Sequence, residues 1–506
     1  MRFLLLVTLL AAVLRLWRLD AASLWVDEIM TWRQAAPGGD LVFWRQVADA
    51  IHGPVYVAAV WPLLRLADTE FALRLPAALA GIAAVPILAV AAARLLPRES
   101  ARLAALLFAL NPFHVWYSQE ARGYAFAMLA VVALAALVVG PLRRGLTSGR
   151  GVALAVVAAL GIGSHMSVLF VWAALALTVL VAGHHRDRRQ LAGWAAVFAG
   201  GVLLAAPWLA GALGIWAVHR VVPGADVGDA LRGATTFTPL ALPFTGYTFL
   251  FGFSLGPGLR ELHVEPLAAV RAHAPLLAVA ALAAAVPLAA GLWRWPRRSW
   301  YVLLWILVPL VAAVLLAMRN VKPFNPRYVA VVLPFVLLLV GHGLRSLPRR
   351  MALVWTAALV VLVTVSLAQY QFADRYAKED VRAALDHVAS SSAPDDPVLA
   401  PVVTGVVRYY HEGAGEVIGT FETPQLGSDE TARALVRDKL AGYDSAWVLL
   451  ARTWYHDPDD RLPWALAAEG RVRLAGRYPG VRVLRWERYA ADAADAADAA
   501  AGGARR

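Results

Sequence analysis

Long apolar runs constrain this sequence more than any other feature. Runs of about 18–25 residues, the length that crosses a bilayer as a helix, recur from the N-terminus to about residue 369. Hydrophobic residues make up 60% of the 506 residues, whereas soluble domains contain roughly 45–50%. The sequence therefore predicts a polytopic α-helical membrane protein. The first run resembles a signal peptide, but we expect an uncleaved helix because many runs follow it and no small-residue cleavage site precedes Asp20.

The loops between these runs fall into two charge classes. Five short loops together hold fourteen arginines and two acids, whereas the loops 20–70 and 210–271 are acidic or neutral. The loop 318–328 holds Arg319, Lys322 and Arg327 and no acid, and we place it outside by alternation. Because positively charged loops are retained in the cytoplasm, we expect the short loops inside and the longer loops outside. The short loops are 97–102, 141–151, 184–190, 294–299 and 345–350, and the longer ones are 20–70, 210–271 and 318–328.

This alternation predicts eleven transmembrane helices, with the N-terminus in the cytoplasm and everything after about residue 370 outside. The apolar segment 53–67 is short and contains two prolines, and a crossing there would move every later arginine-rich loop outside. We therefore expect this segment to lie along the membrane interface. The predicted spans are 3–19, 72–95, 102–118, 122–141, 151–166, 168–183, 191–209, 272–292, 300–317, 328–345 and 351–369.

The composition changes after Gln369. The segment "EDVRAALDHVASS" predicts an amphipathic helix, and "DDPVLAPVV", "SAWVLLART" and "GVRVLRWERY" predict short strands. We thus expect a transmembrane domain over 1–369, a small extracytoplasmic soluble α/β domain over 370–490, and a low-complexity tail over 491–506 to which we assign no function.

Charge and cysteine content exclude several classes of function. The sequence contains no cysteine, which excludes disulfides and thiolate metal sites. The net charge of +12 is explained by the loop arginines, so we expect a lipid bilayer as partner and no nucleic acid.

The stretch "SLWVDEIMTW" places two adjacent carboxylates, Asp27 and Glu28, in apolar company on the predicted outer face. The same topology brings further polar residues to that face, where carboxylates can accept a proton and cations can bind a lipid phosphate. Structural alternatives stay open, namely a helix-capping ion pair for Glu120 and Arg122, and headgroup anchoring for the basic residues near 322. The binding candidates are His52, Arg74, Glu120, Arg122, Tyr124, Lys322, Arg327 and Tyr328.

Five motifs occur in an order that resembles the GT-C glycosyltransferases. The resemblance is closest to glycosyltransferase family 39 and its bacterial relatives, which include the protein O-mannosyltransferases and the aminoarabinose transferase that modifies lipid A. It extends over most of residues 1–345. The motifs are "SLWVDE", "HGPVY", "ALRLPAALAG", "NPFHVWYSQEARGYA" and "NPRYVAVVLPF".

The resemblance implies a GT-C fold in a bacterial plasma membrane and a polyprenyl-phosphate sugar as donor. It implies inverting transfer, at the extracytoplasmic face, to a hydroxyl of a glycan, lipid or protein acceptor. Asp27 would be the general base and Glu28 would orient it or contact the sugar. A divalent metal bound by Asp27, Glu28 and His52 is an open alternative. The pair Gly53-Pro54 departs from the two prolines that relatives often carry.

Two rival functions are consistent with many spans and phosphate-binding arginines. One is a transporter or flippase for lipid-linked sugars, and the other is a non-catalytic protein that only binds such lipids. Transporters tend to show internal repeats and charges at mid-membrane, whereas this sequence shows no repeat and its charged candidates are predicted at one surface. We therefore favour the enzyme.

Overall fold

The computed structural model describes residues 2–36, 53–182, 187–221, 237–319, 324–391, 395–419 and 426–489. The chain divides into two compact units, which we call the membrane unit and the sheet unit. The membrane unit comprises Met1–Asp20, Thr31–Gly256 and His273–Tyr370, and the sheet unit comprises Ala21–Met30, Pro257–Ala272 and Gln371–Arg506.

Each of the eleven predicted segments is helical over most of its described length. The predicted interfacial segment forms the helix α3, Pro54–Leu64. Pro54 begins this helix, and the helix continues through Pro62. The helices are α1 Arg2–Leu16, α2 Val26–Ala35, α3 Pro54–Leu64, α4 Glu70–Leu95, α5 Arg98–Leu110, α6 Pro112–Ser118, α7 Tyr124–Arg144, α8 Ser148–Ser164, α9 Val168–Val181, α10 Arg188–Val221, α11 Ala241–Phe251, α12 Leu259–Val264, α13 Pro266–Ala272, α14 Ala274–Trp293, α15 Val302–Met318, α16 Leu333–Ser346 and α17 Arg349–Phe372.

The chain is a multi-pass membrane protein. Six helical segments among the described residues are long and apolar enough to cross a bilayer, and four apolar helices are shorter. The number of crossings therefore stays a prediction, as does the interfacial location of α3. The six long segments are Glu70–Leu95, Tyr124–Arg144, Arg188–Ala212, Ala274–Trp293, Pro326–Ser346 and Arg349–Phe372.

The predicted span 102–118 is not one helix, because it breaks between α5 and α6. Pro112 cannot continue the backbone hydrogen-bonding pattern of α5, and Asn111 caps α6 by accepting a hydrogen bond from the His114 amide at 2.8 Å. The fully buried Arg15 of α1 donates to the carbonyl oxygens of Phe108 (3.3 Å) and Ala109 (3.0 Å), so it satisfies the last turn of α5.

Small side chains let the helices of the membrane unit approach closely. Helix α4 packs against α7, and its buried residues are largely alanines together with Gly81. A Cβ atom at Gly81 would lie 2.1 Å from the Ser118 hydroxyl oxygen. Helix association within membranes depends on such close packing because burial of apolar surface gains little there.

The sheet unit contains a five-stranded mixed sheet of order β2-β1-β3-β5-β4. Strand β1 pairs in parallel with β2 and β3, whereas β5 pairs antiparallel with β3 and β4. Helix α18 lies in the predicted helical segment, and β1, β3 and β5 lie in the three predicted strand segments. The remaining elements are β1 Val398–Leu399, β2 Val417–Ile418, β3 Ser445–Ala451, β4 Gly470–Tyr478, β5 Val481–Arg488, α18 Val381–Ser391, α19 Thr404–Tyr410, α20 Asp429–Lys439, α21 Thr453–His456 and α22 Arg461–Glu469.

Candidate functional site

The short turn between α6 and α7 carries Glu120 and Arg122. Gln119 anchors the turn because its side-chain amide donates to the carbonyl oxygens of Arg15 (3.2 Å) and Trp17 (2.9 Å). Glu120 is buried, and its Oε2 accepts a hydrogen bond from the Trp116 indole at 3.1 Å. The backbone amide of Arg122 donates to the Glu120 carbonyl oxygen at 2.7 Å. The turn is therefore held by several contacts and presents its charged residues in a defined geometry.

Arg327 and Tyr328 begin a 3₁₀ segment, Pro326–Val332, that leads into α16. Asn325 caps this segment by accepting a hydrogen bond from the Arg327 amide at 3.1 Å. The Arg327 Nη2 donates to the Tyr328 hydroxyl at 3.3 Å, and its guanidinium carbon lies 5.2 Å from the Tyr328 ring centroid. This cap and these contacts orient both side chains locally.

These two segments meet around Tyr124, although they are far apart in the sequence. The Tyr124 ring centroid lies 4.8 Å from that of Tyr117 and 5.0 Å from that of His165. The His165 ring in turn stacks on Tyr328 at 6.2 Å. Glu120, Arg122, Arg327 and Tyr328 all lie close enough to Tyr124 to interact with it electrostatically. We call Tyr117, Glu120, Arg122, Tyr124, His165, Arg327 and Tyr328 the Tyr124 cluster.

Five of the seven members of the Tyr124 cluster are predicted binding candidates, and two are not. His165 follows α8, and its Nδ1 lies 2.7 Å from the Ser167 hydroxyl and accepts from the Ser167 amide at 3.3 Å. That contact places the imidazole proton of the neutral ring on Nε2, where it can be donated. Tyr117 lies within the quoted motif "NPFHVWYSQEARGYA", and its aromatic type was the only signal in the sequence.

Glycines allow the elements around the Tyr124 cluster to approach the end of α8. A Cβ atom at Gly53 would lie 2.4 Å from the carbonyl oxygens of Gly163 and Ser164, and one at Gly123 would lie 2.2 Å from the carbonyl oxygen of Ser164. Both neighbours are backbone atoms and cannot move aside cheaply. The structure thereby explains why a residue without a side chain stands at position 53.

Arg74 lies near the start of α4 and is almost fully buried. Its Nη1 donates to the carbonyl oxygen of Leu19 at 3.0 Å. That hydrogen bond gives Arg74 a structural contact at the end of the α1 region. Its predicted role in phosphate binding stays a prediction.

Asp27 and Glu28 occupy the first turn of α2, in the chain segment that belongs to the sheet unit. Carboxylates at this position interact favourably with the helix dipole. Asp27 is half-buried, whereas Glu28 is fully buried. Only Asp27 of the pair therefore retains exposed surface.

Two predicted residues, His52 and Lys322, lie outside the described residues. The described part of the chain contains no group of three or more His, Asp or Glu side chains that could hold a metal ion. Because the candidate metal set includes His52, this finding does not test the predicted alternative of a divalent metal.

Part of the chain matches a known protein family. Residues 51–210 match the family described as "Dolichyl-phosphate-mannose-protein mannosyltransferase". The predicted resemblance to the protein mannosyltransferase family is confirmed. This family match includes Arg74 and the Glu120 turn, and it ends before Arg327 and Tyr328. No curated protein matches the chain by sequence.

Solved structures show that the chain has the fold of GT-C enzymes. The crystal structure of apo ArnT from Cupriavidus metallidurans matches with a TM-score of 0.56 and 14% sequence identity. The match covers 95% of this chain and 97% of the ArnT chain. ArnT bound to undecaprenyl phosphate is 13% identical with a TM-score of 0.54 and the same coverage. The oligosaccharyltransferase AglB from Archaeoglobus fulgidus, in complex with an inhibitory peptide and a dolichol-phosphate, is 12% identical with a TM-score of 0.51, covering 95% of this chain and 74% of that chain.

Proposed function

We propose that the protein is a membrane glycosyltransferase that moves a sugar from a polyprenyl-phosphate donor to an acceptor hydroxyl. Transfer takes place at the extracytoplasmic face of a bacterial plasma membrane and inverts the anomeric centre. The family match, the GT-C fold and the undecaprenyl phosphate bound to ArnT all support a lipid-linked sugar as donor.

The observation that carries this proposal is the Tyr124 cluster. It combines two arginines, one buried carboxylate and several aromatic rings. These groups come from residues 117–124, from His165 and from residues 327–328, which are far apart in the sequence. Guanidinium groups are well suited to phosphate because they are permanently charged and donate several hydrogen bonds in a fixed geometry. Aromatic rings bind the faces of sugars and the first units of a polyprenyl chain through apolar contact. In this proposal Arg122 and Arg327 contact the lipid phosphate, and Glu120 orients them.

The reaction requires one base and a stabilised leaving group. Asp27 accepts the proton of the acceptor hydroxyl while the hydroxyl oxygen forms a bond to the anomeric carbon. The bond between the anomeric carbon and the phosphate oxygen breaks with its electron pair, so polyprenyl phosphate leaves as an anion. Because that anion is stable near neutral pH, the arginines can stabilise it without a general acid.

The difference in burial between the two carboxylates supports assigning the base to Asp27. A general base must come within hydrogen-bond distance of its proton donor, and Asp27 has the exposed surface that this requires. Glu28 is fully buried and is better suited to orient Asp27 or to contact the sugar. His52, Arg74 and Lys322 remain candidates for binding the lipid-linked sugar donor.

A panel of donors tests the proposed function. Purified full-length protein would be incubated in detergent with undecaprenyl phosphate linked to mannose, glucose, galactose, arabinose or aminoarabinose, together with a membrane glycolipid fraction as acceptor. We expect release of undecaprenyl phosphate from one of these donors, with transfer of its sugar. If the protein is a flippase, the intact lipid-linked sugar should cross the membrane of vesicles with no release of undecaprenyl phosphate. If the protein is non-catalytic, it should bind the donor without releasing undecaprenyl phosphate. Either result would refute the enzyme.

A further inference from the structure

We propose that Arg452 and Glu379 are positioning residues that hold the segment Ala21–Trp25, and through it Asp27, in the orientation needed for proton removal. The inference rests on the proposed function, in which Asp27 is the base. It gives the C-terminal region a part in the reaction. All the contacts that carry it lie within the sheet unit.

The backbone before Asp27 is fixed by side chains and backbone groups from the C-terminal region. The Ser23 hydroxyl donates to the carbonyl oxygen of Glu379 at 2.6 Å and accepts from the Val381 amide at 3.2 Å. Arg382 donates to the carbonyl oxygen of Ala21 at 2.7 Å. The Leu24 amide donates to the Tyr410 hydroxyl at 2.8 Å. Residues far along the chain therefore determine the path of the segment that leads into α2.

The side chain of Trp25 is also held by residues of the C-terminal region. The guanidinium carbon of Arg452 lies 5.0 Å from the Trp25 ring centroid, and the Lys378 ammonium lies 5.8 Å from it. Both distances fall within the range of cation–π attraction. Arg452 also donates to the Glu379 carboxylate through Nε (2.9 Å) and Nη2 (3.4 Å), and the two side chains are only 22% and 19% exposed. The forked ion pair fixes the plane of the guanidinium against the indole.

The backbone of Arg452 adopts a conformation that residues with a side chain rarely adopt. Its φ is 54°, in the left-handed region, immediately after β3 and before α21. A residue with a Cβ atom is less stable there than glycine by about 1–2 kcal/mol. The contacts of the Arg452 side chain with Trp25 and Glu379 offset that cost.

Trp25 transmits this order to Asp27. The carbonyl oxygen of Trp25 accepts hydrogen bonds from the amides of Glu28 (2.9 Å) and Ile29 (3.0 Å), so it closes the first turn of α2 around Asp27. A rotation of Trp25 would move that turn. Since a misplacement of about 1 Å in a catalytic group can lower the rate about 100-fold, loss of the Arg452 contacts should lower kcat.

The sheet unit offers a closely matched control. The Arg485 guanidinium carbon lies 5.1 Å from the Trp447 ring centroid, and Arg485 donates to Asp396 at 2.9 and 3.3 Å. Its ion pair is 17% and 12% exposed, which is close to the exposure of the Arg452 pair. Arg485→Ala therefore removes the same kinds of contact at similar burial, at a site whose described contacts do not include residues 21–25.

The first experiment measures order without requiring turnover. Hydrogen exchange of the full-length protein in detergent is followed in peptides covering residues 21–30, for wild type, Arg452→Ala, Arg452→Lys and Arg485→Ala. We expect faster exchange in Arg452→Ala, a smaller increase in Arg452→Lys, and none in Arg485→Ala. Unchanged exchange in Arg452→Ala would overturn the claim that Arg452 holds this segment.

The second experiment measures catalysis with the donor that the wild type turns over fastest, beside Asp27→Asn. Arg452→Ala should lower kcat about 10–100-fold with an unchanged KM for the donor, and Arg452→Lys should recover part of the loss. Arg485→Ala should keep its kcat per folded molecule. Normal kcat in Arg452→Ala while Asp27→Asn is inactive would overturn this inference alone. Full activity of Asp27→Asn would instead overturn the proposed role of Asp27.

Discussion

Gly123, the residue before Tyr124, approaches Ser164 so closely that a Cβ atom at position 123 would lie 2.2 Å from the Ser164 carbonyl oxygen. The contact joins the start of α7 to the end of α8, beside His165. Because both partners belong to the backbone, neither can give way without shifting one of the helices. The geometry of the Tyr124 cluster therefore depends on the absence of a side chain at Gly123.

Gly123→Ala should lower the stability of the membrane unit by about 1–3 kcal/mol, the usual cost of overpacking, and should reduce activity as well. The thermal unfolding midpoint of detergent-purified protein measures the first effect. Gly246→Ala is the control, since an added Cβ there meets nothing within 4 Å and alanine stabilises a helix interior by about 1 kcal/mol relative to glycine. Equal midpoints for Gly123→Ala and the wild type would contradict the close contact.

Arg15→Met should destabilise the protein although it removes a charge from an apolar helix. Arg15 donates to the Phe108 and Ala109 carbonyl oxygens, and its Nη2 also donates to His114 Nδ1 at 2.7 Å. Each acceptor left without a donor costs about 1–3 kcal/mol when buried. Chemical or thermal unfolding in detergent measures the loss.

Arg102→Ala provides the comparison for Arg15→Met. Arg102 forms an exposed ion pair with Glu99 at 2.9 Å, and such pairs contribute about 0–1 kcal/mol. If Arg15→Met were no less stable than Arg102→Ala, the capping role of Arg15 at the break between α5 and α6 would be wrong.

Arg327→Gln should weaken the binding of undecaprenyl phosphate about tenfold or more, because a hydrogen bond to a charged group contributes about 1.5–3 kcal/mol. Tyr328→Phe should have a smaller effect, since it removes only the hydroxyl that accepts from Arg327 at 3.3 Å. Binding is measured by quenching of intrinsic fluorescence or by calorimetry in detergent. Arg65→Gln changes an exposed arginine at the end of α3 and should bind normally. Equal affinity of Arg327→Gln and Arg65→Gln would exclude Arg327 from the phosphate site.

Cysteine labelling tests the predicted topology directly because the sequence contains no cysteine. Ala67→Cys lies in a predicted outer loop and Asp187→Cys in a predicted cytoplasmic loop, and both positions are exposed. In intact cells a membrane-impermeant maleimide should label position 67 and not position 187, whereas permeabilised cells should show both. Labelling of position 187 alone in intact cells would invert the topology and place the proposed chemistry on the wrong side.

Sequence patterns were sufficient for the broad architecture, because apolar length and loop arginines report directly on helices and membranes. They were also sufficient to nominate Glu120, Arg122, Tyr124, Arg327 and Tyr328, which the structure brings together. The break at Asn111 was harder to predict, since Leu110 and Phe113 continue the apolar run across it. The "NP" pair is a local signal for a helix start, but the length of the apolar run predicts a single span there.

Contacts between distant parts of the chain could not be predicted from local patterns. Nothing near Trp25 in the sequence indicates that Arg452 stacks on it, because the pairing depends on how the sheet unit folds around residues 21–30. The sequence places His165 at an outer helix end, but a single histidine there carries no distinctive spacing, so His165 is not among the predicted binding candidates. Strands β2 and β4 were not predicted either, β2 because it has only two residues and β4 because its arginines and glycines obscure the alternation.

Turnover by Asp27→Asn tests the central claim most directly. The substitution keeps the shape of the side chain and removes its ability to accept a proton, so it should leave folding and the binding of undecaprenyl phosphate intact. We expect release of undecaprenyl phosphate from the donor to fall by about 10²–10⁴-fold, the usual contribution of a general base. Release at the wild-type rate, by protein of wild-type stability, would contradict the account of Asp27 as the base.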